Sequence, residues 1–331
     1  MAARLDTPVL GVQDGNTPPS RWQFGMNYRY QRSHRHFVGP EEQHERAEER
    51  SEVKNTINLA EIGIRYNPNP RWSVSLNIPY FEAERSSPIR DSSRVVIDRS
   101  LVQASGLSDI TLSARRLLWD PAKHPDGNIA LGLGVKMPTG EEDVYDDRER
   151  LVNGQRVFTE ESVDQSIQPG DGGWGVIFDL QYFQRIGRSN GAFYLSTTYL
   201  ANPRSTNGVP TFRNNVGEEI MSVADQYVGR VGVSYVGKSW KGFGASLGGR
   251  LEGVPVEDLI GDSEGFRRPG YAISIEPGLN YTRGPYTVSL AVPYALYRNR
   301  TRSVADRRIP GRHGDAAFAD YVILFGWGRK L

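Results

Sequence analysis

Cysteine is absent from these 331 residues, which excludes disulfides, iron–sulfur clusters and thiolate catalysis. Net charge is almost absent too: 40 Lys and Arg against 39 Asp and Glu leave +1, no electrostatic footprint for nucleic acid. Long apolar runs are missing. Hydrophobic residues make up 38% of the chain, the mean hydropathy is −0.52, and nothing approaches the roughly 20 apolar residues of a membrane helix. A helical membrane protein is therefore excluded. A transmembrane β-barrel is not, because each strand needs only about 10 alternating residues and the lumen and loops are polar. No secretory leader is visible either: Met1 is followed by Ala2, Ala3 and Arg4, as in a mature chain given a new start. The length suits one large barrel or two ordinary domains.

What the chain does have is alternation with a period of two, in twelve stretches. Trp22, Phe24, Met26, Tyr28 and Tyr30 alternate with Gln23, Gly25, Asn27 and Arg29; Trp72, Val74, Leu76, Ile78 and Tyr80 alternate with Ser73, Ser75, Asn77 and Pro79. Such a period puts one set on each side of a strand. Ala60, Ile62 and Ile64 oppose Glu61, Gly63 and Arg65, while Ile57 and Leu59 are out of phase and imply either a bulge or inward apolar residues. Similar faces recur through Leu112, Leu131, Phe178, Val233, Leu247, Ile273, Leu290 and Phe325; the stretch around Phe193, Leu195 and Tyr199 is the least regular. The reading is all-β: an antiparallel up-and-down barrel of about 12 strands over 21–331, with residues 1–20 as an N-terminal periplasmic extension.

The connections alternate in length. Those at 67–71, 119–128, 186–191, 236–242 and 282–285 are short and rich in Gly, Pro and Asn. Those at 32–53, 81–106, 138–172, 201–223, 252–270 and 297–316 are long, polar and charged. Short turns on one rim and long loops on the other are the bacterial outer-membrane pattern, with turns and termini periplasmic. A soluble barrel shares the alternation, but aromatic placement argues against it. Trp72 and Tyr80, Trp174 and Tyr182, Tyr227 and Tyr235, and Tyr286 and Tyr294 stand at opposite ends of apolar faces. Eight residues at about 3.3 Å, tilted by roughly 40°, cover ~20 Å, close to the height of a lipid-facing band between aromatic girdles. The opposite face carries Arg29, Glu61, Arg65, Asp109, Arg115, Lys136, Asp179, Arg230, Arg250, Glu276 and Asp320, the expected pore lining. Inward Gly63, Gly132, Gly134, Gly175 and Gly248 should leave space between them, and the 138–172 loop is long enough to plug the barrel in part.

Four motifs invite other readings. Gly232 to Ser239 matches the phosphate-cradling pattern GxxxxGK[ST], but its middle is alternating strand and no helix follows to present backbone N–H groups to an anion. His34, His36 and His44 lie beside Glu41, Glu42 and Glu45 without a zinc spacing, and a solvated loop is the plainer reading. Glu141, Glu142, Asp143, Asp146 and Asp147 lack the ordered ligands and turn glycine of a calcium loop. His313 and Asp315 stand at the outer rim, where an omptin-like surface hydrolase keeps a His/Asp pair, but the sequence shows no nucleophile or held water beside them. No cofactor, metal site or nucleic-acid partner is expected.

Gly106-Leu-Ser-Asp-Ile-Thr-Leu112, Leu131-Gly-Leu-Gly-Val-Lys-Met-Pro-Thr-Gly140 and Pro169-Gly-Asp-Gly-Gly-Trp174 resemble the outer-membrane transporters of the phenol-degradation meta-pathway type. The resemblance extends over most strands, including Val74-Ser-Leu-Asn-Ile-Pro-Tyr80 and its echo Val288-Ser-Leu-Ala-Val-Pro-Tyr294. It implies a barrel similar to hydrocarbon and fatty-acid transporters, passing small, including aromatic, compounds. The ending Trp327-Gly-Arg-Lys-Leu331 departs from the usual aromatic terminus. The expected function is passive passage of small solutes across the outer membrane, with the lipid bilayer and the solute as partners. The alternative is a non-conducting barrel that anchors a protein partner at the periplasmic or extracellular rim; a surface hydrolase is the minor alternative. Glu41, Glu42, Glu45, Glu48, Glu49 and Glu52 in the first loop face Arg298, Arg300, Arg302, Arg307, Arg308 and Arg312 in the last, and the two are expected to pair across the barrel seam.

Overall fold

A computed structural model of the chain describes residues 20–213, 215–237 and 241–331; the expected extension over 1–20 lies, apart from Ser20, outside the described residues. Twelve barrel strands follow one another in chain order. They are β1 (Trp22–Val38), β2 (Lys54–Asn69), β3 (Trp72–Arg90), β4 in two segments (Val96–Leu107 and Thr111–Leu117), β5 (Gly127–Lys136) and β6 (Gly175–Arg185). The second half comprises β7 (Gly191–Ala201), β8 (Gln226–Val236), β9 (Phe243–Val254), β10 (Gly270–Arg283), β11 in two segments (Tyr286–Ala291 and Tyr294–Asn299) and β12 (Ala316–Lys330). Each pairs antiparallel with its neighbours, and β12 returns to β1, from Gln23 opposite Lys330 to Phe37 opposite Ala316. Closure removes the free strand edges from the wall.

The two faces of the wall differ as alternation requires. Ile62, Leu133, Leu247 and Leu279 point away from the barrel with 50%, 58%, 51% and 61% of their surface uncovered by protein, which is tolerable only against lipid. Aromatic pairs ring the periplasmic end: Trp22 with Tyr66 at 4.6 Å, Phe243 with Tyr281 at 4.4 Å and Tyr286 with Trp327 at 6.2 Å between ring centres. Tyr271 and Tyr297, 5.9 Å apart, do the same towards the outer end.

At Tyr80 the polarity of the wall inverts. Below it β3 has apolar residues outside; above it Glu82 is exposed while Phe81 and Ala83 are buried inside. The 81–106 segment, expected as a loop, is therefore a continuation of the β3–β4 hairpin, paired from Tyr80–Leu107 to Arg90–Val96. Its facing is that of a soluble sheet because water, not lipid, lies outside it. Ile57 and Leu59 obey the same rule: β2 runs without a bulge against β1, and both side chains turn inward. They join Phe81, Ala83, Val102 and Ala104 in an apolar cluster closed by Val163 and Ile167 of the 138–172 loop. That loop therefore packs onto the inner wall of the mouth. Before it does so it forms a hairpin, Tyr145–Val152 with Gln155–Ser162.

The inward glycines do not leave the open space expected of them. A Cβ on Gly248 would lie 2.4 Å from the Tyr194 hydroxyl, one on Gly175 2.5 Å from Leu200, and one on Gly134 2.8 Å from Ser113. Each lets a neighbouring side chain lie across the backbone, so the lumen is narrower than the glycine content suggests.

The seam differs from expectation as well. Among the described residues, the first-loop carboxylates and the last-loop guanidiniums form no ion pair with one another. Glu42 pairs with Arg35 and Glu52 with Lys54, while Arg307, Arg308 and Arg312 reach Glu257, Glu264 and Glu218. The loops meet through a backbone bridge between Gly39 and Arg300, at 3.0 and 2.8 Å, and through Arg46 to Asp315 at 2.6 Å, with the charges reversed from the expected sense. Local carboxylates on the adjoining loops are nearer to these arginines than the seam is.

Candidate functional site

The wall brings charged side chains together in rows set by strand register. Arg115, Gly132, Asp179 and Thr198 lie opposite one another on β4, β5, β6 and β7. Because Gly132 has no side chain, Arg115 reaches over it to Asp179 at 2.7 Å, and Thr198 donates to the same carboxylate at 3.1 Å. Four residues further along β5 towards the mouth, Lys136 stands 3.4 Å from Asp109 and pairs closely with Asp171 of the long loop. Asp109 also accepts the Gly140 N–H at 3.1 Å. The loop's return limb is thereby tied to the wall beside the gap between the two β4 segments.

A second group lies on the far side of the lumen. Arg230 and Arg250 are directly opposite each other on β8 and β9, a like-charge pair that is offset by Glu276, which bonds Arg230 closely and lies 3.4 Å from Arg250. Glu252 holds Arg250 at 2.6 Å and reaches Arg29 of β1 at 3.2 Å, linking strands four places apart round the wall. With Arg250 only 1% exposed, these charges persist because each has opposite charge within bonding range. Glu61 accepts from Asn27 at 3.0 Å, and Arg65 donates to Ser75 at 3.2 Å. Asp320 is placed differently: a register shift opposite Gln31 and Ser33 breaks the alternation, and Asp320 sits at the outer rim, 2.8 Å from Arg35 and 2.9 Å from Arg298.

A cavity of about 550 Å³ runs from the outer mouth to the middle of the barrel. Glu61, Asp109, Arg115, Lys136 and Asp179 line its inner part; Arg29, Arg65, Arg230, Arg250, Glu276 and Asp320 do not border it. Its outer part is lined by residues that the sequence reading assigned to loops, including Arg85, Arg148, Arg213 and Arg268. Asp164, buried behind them, receives both terminal nitrogens of Arg268 at 2.7 and 2.6 Å and lies 3.3 Å from Arg85. Burial alone would raise its carboxyl, but Arg268 and Arg85 outweigh burial and hold it well below the usual carboxylate range. Glu252 was legible in principle, since it shares the phase of Arg250. The partners of Asp164 were not, because nothing in the sequence links positions 104 residues apart.

The His/Asp pairing at the rim differs from the expected one. His313 bonds the Arg300 carbonyl at 2.6 Å, away from Asp315. Asp315 pairs instead with Nδ1 of His36 at 2.8 Å, and Nε2 of His36 accepts the Val53 backbone N–H at 2.8 Å. Both ring nitrogens are thus committed, and a base needs a free one. The end of the phosphate-loop match, Lys238 and Ser239, lies outside the described residues, while Gly232 to Val236 belong to β8.

A closed barrel of twelve strands with a lipid-facing apolar band, a charged interior and long loops on one rim has the fold of a bacterial outer-membrane protein. The chain is similar in structure to an outer membrane channel from Pseudomonas putida F1, with a TM-score of 0.59 at 12% identity over 96% of this chain and 98% of that one. Lower scores relate it to the β domain of the Bordetella autotransporter BrkA (0.49, 13% identity, 94% and 100% covered) and the Pseudomonas putida toluene transporter TodX (0.45, 9%, 96% and 91%). No family model and no curated protein matches the chain. At these identities the likeness is one of fold.

Proposed function

We propose that the protein is an outer-membrane channel through which small solutes, including hydrophobic and aromatic ones, pass without cofactor or covalent chemistry. The observation that carries this reading is the cavity, which opens at the mouth and descends to the Arg115–Asp179 row. The resemblance to meta-pathway transporters supports the solute class, and the outer membrane channel found in the structural comparison supports the channel reading. In this reading the inner lining, from Glu61 to Asp179, sets the width and polarity of the path. Arg29, Arg230, Arg250 and Glu276 stiffen the opposite wall. Single-channel recording with the purified protein, paired with solute uptake into liposomes, tests it: discrete conductance steps and facilitated uptake are expected, and silence in both would overturn it.

One feature favours a second reading. The loops seal much of the mouth, with Ile167, Met221, Val223 and Phe266 almost wholly buried, and such a lid suits a barrel that presents its outer loops to a protein partner. The same recordings separate the two, since an anchor conducts nothing.

A further inference from the structure

We propose that the outer part of the cavity binds a small organic anion, a carboxylate or similar oxyanion head on a compact apolar body; this rests on the channel reading and names the class of solute the channel takes.

Four guanidiniums meet there. Arg85 comes from β3, Arg148 from the 145–152 hairpin strand, Arg213 from the loop after Pro210, and Arg268 from just before β10. Asp164 serves two of them, Arg268 and Arg85. The other two are left with carboxylates that are held more closely elsewhere. Glu161 stands 3.7 Å from Arg148 but 2.5 Å from Arg150. Glu218 stands 3.4 Å from Arg213 but 2.7 Å from Arg312, and also accepts from Asn215 at 2.8 Å. The Nε of Arg213 is buried and makes no hydrogen bond. Positive charge therefore exceeds negative charge in a partly enclosed space, and burial, with Arg150 beside one and Arg268 beside the other, lowers the pKa of both Arg148 and Arg213.

The guanidiniums are also oriented. The Phe212 ring lies 4.6 Å from Arg148, and the Phe266 ring lies 4.1 Å from Arg213 and 4.5 Å from Arg268. Each guanidinium carbon lies over the face of its ring, a cation–π contact that leaves N–H groups for a ligand, and guanidinium can take a planar carboxylate with two parallel bonds. Arg268 already holds Asp164 in that way. Leu59, Ile177 and Phe212 line the same cavity and supply the apolar side that an inorganic anion would not use.

The test is equilibrium binding by calorimetry to the folded, detergent-solubilised full-length barrel, with sodium benzoate, benzyl alcohol and inorganic phosphate as probes. Benzoate is expected to bind more tightly than either of the others, and Arg213→Gln or Arg148→Gln to weaken it by about tenfold or more, the loss expected for one charge-assisted hydrogen bond. Two variants keep the test open if one fails to fold, with folding judged by heat-modifiable gel mobility. Benzyl alcohol binding as tightly as benzoate, or variants indistinguishable from the parent, would overturn the anion site. Phosphate binding as tightly as benzoate would overturn the apolar half of the proposal. Absence of ion conductance would count against the channel reading alone, because binding at equilibrium does not require passage.

Discussion

Replacing Asp164 with Asn isolates the charge that holds the mouth loop in place. The amide has nearly the same shape and can still accept the Ser166 N–H, which Asp164 accepts at 3.1 Å. What is lost is the compensation of Arg268 and Arg85, both largely buried, with Arg213 adding to the same positive field. Breaking a buried pair in this way costs about 3–5 kcal/mol, mostly because the surviving charge stays buried. The cost should fall on loop docking and not on the barrel, since residues 138–172 form no part of the closed wall. At about 1.4 kcal/mol per decade the population of the undocked loop should rise at least about a hundredfold. Trypsin reports it directly. Arg148, Arg150 and Arg156 lie in the hairpin that would be released, and cleavage follows the open population when opening and closing are fast. The barrel's own thermal transition should barely move. Adding Arg268→Gln to Asp164→Asn should recover part of the protection, because one unpaired charge is then gone. A cleavage rate within about threefold of the parent would refute the reasoning, since that corresponds to well under 1 kcal/mol.

Arg in place of Leu133 or Val233 should destabilise the barrel by about 2–4 kcal/mol in refolding into bilayers if these sites face mid-membrane lipid; unchanged folding at both would place them elsewhere. Lys136→Met removes the cation between Asp109 and Asp171, so the loop's return limb should loosen and the pore become more cation-selective, read as a shift in reversal potential across a salt gradient. Asp315 gives a pH dependence. Burial would raise its carboxyl, but the hydrogen bond from His36 and the charge of Arg46 outweigh it and hold it below the usual range. Its contribution to docking the first and last loops is therefore full above the unfolded carboxylate value, about 3.9, and is lost as pH falls further through the lowered folded value. Amide exchange of the Gly39 and Arg300 N–H groups should stay slow from pH 7 to about 4, after correction for intrinsic rates; Asp315→Asn should expose both at neutral pH.

The membrane part of this fold is legible because lipid outside and polar groups inside impose opposite demands on successive residues. From Trp22 to Tyr30 and from Trp72 to Tyr80 every second side chain declares its face. The outer extension is harder, since Phe81, Ala83 and Val102 point inward in a segment whose charges read as a loop. Asp109, Lys136 and Asp179 could be placed on strands from sequence, but not joined to Asp171, Arg115 and Thr198, because register across three strands is a property of the closed sheet. The arginines around Asp164 lay beyond reach for a related reason: they come from four separate segments and converge only once the loops fold over the mouth.

The change of polarity at Tyr80 has a mechanical consequence. Sinking the barrel by the rise of one residue, about 3.3 Å along a tilted strand, would carry Glu82 towards hydrocarbon. Rising by as much would lift the Trp22 and Trp72 belt off the inner interface and bring apolar side chains into water. Opposed penalties on either side of one level act as a spring with its minimum at Tyr80, so the wall itself fixes how far the mouth stands above the cell surface. A bilayer a few ångströms thicker or thinner should then deform around this barrel before the barrel shifts within it.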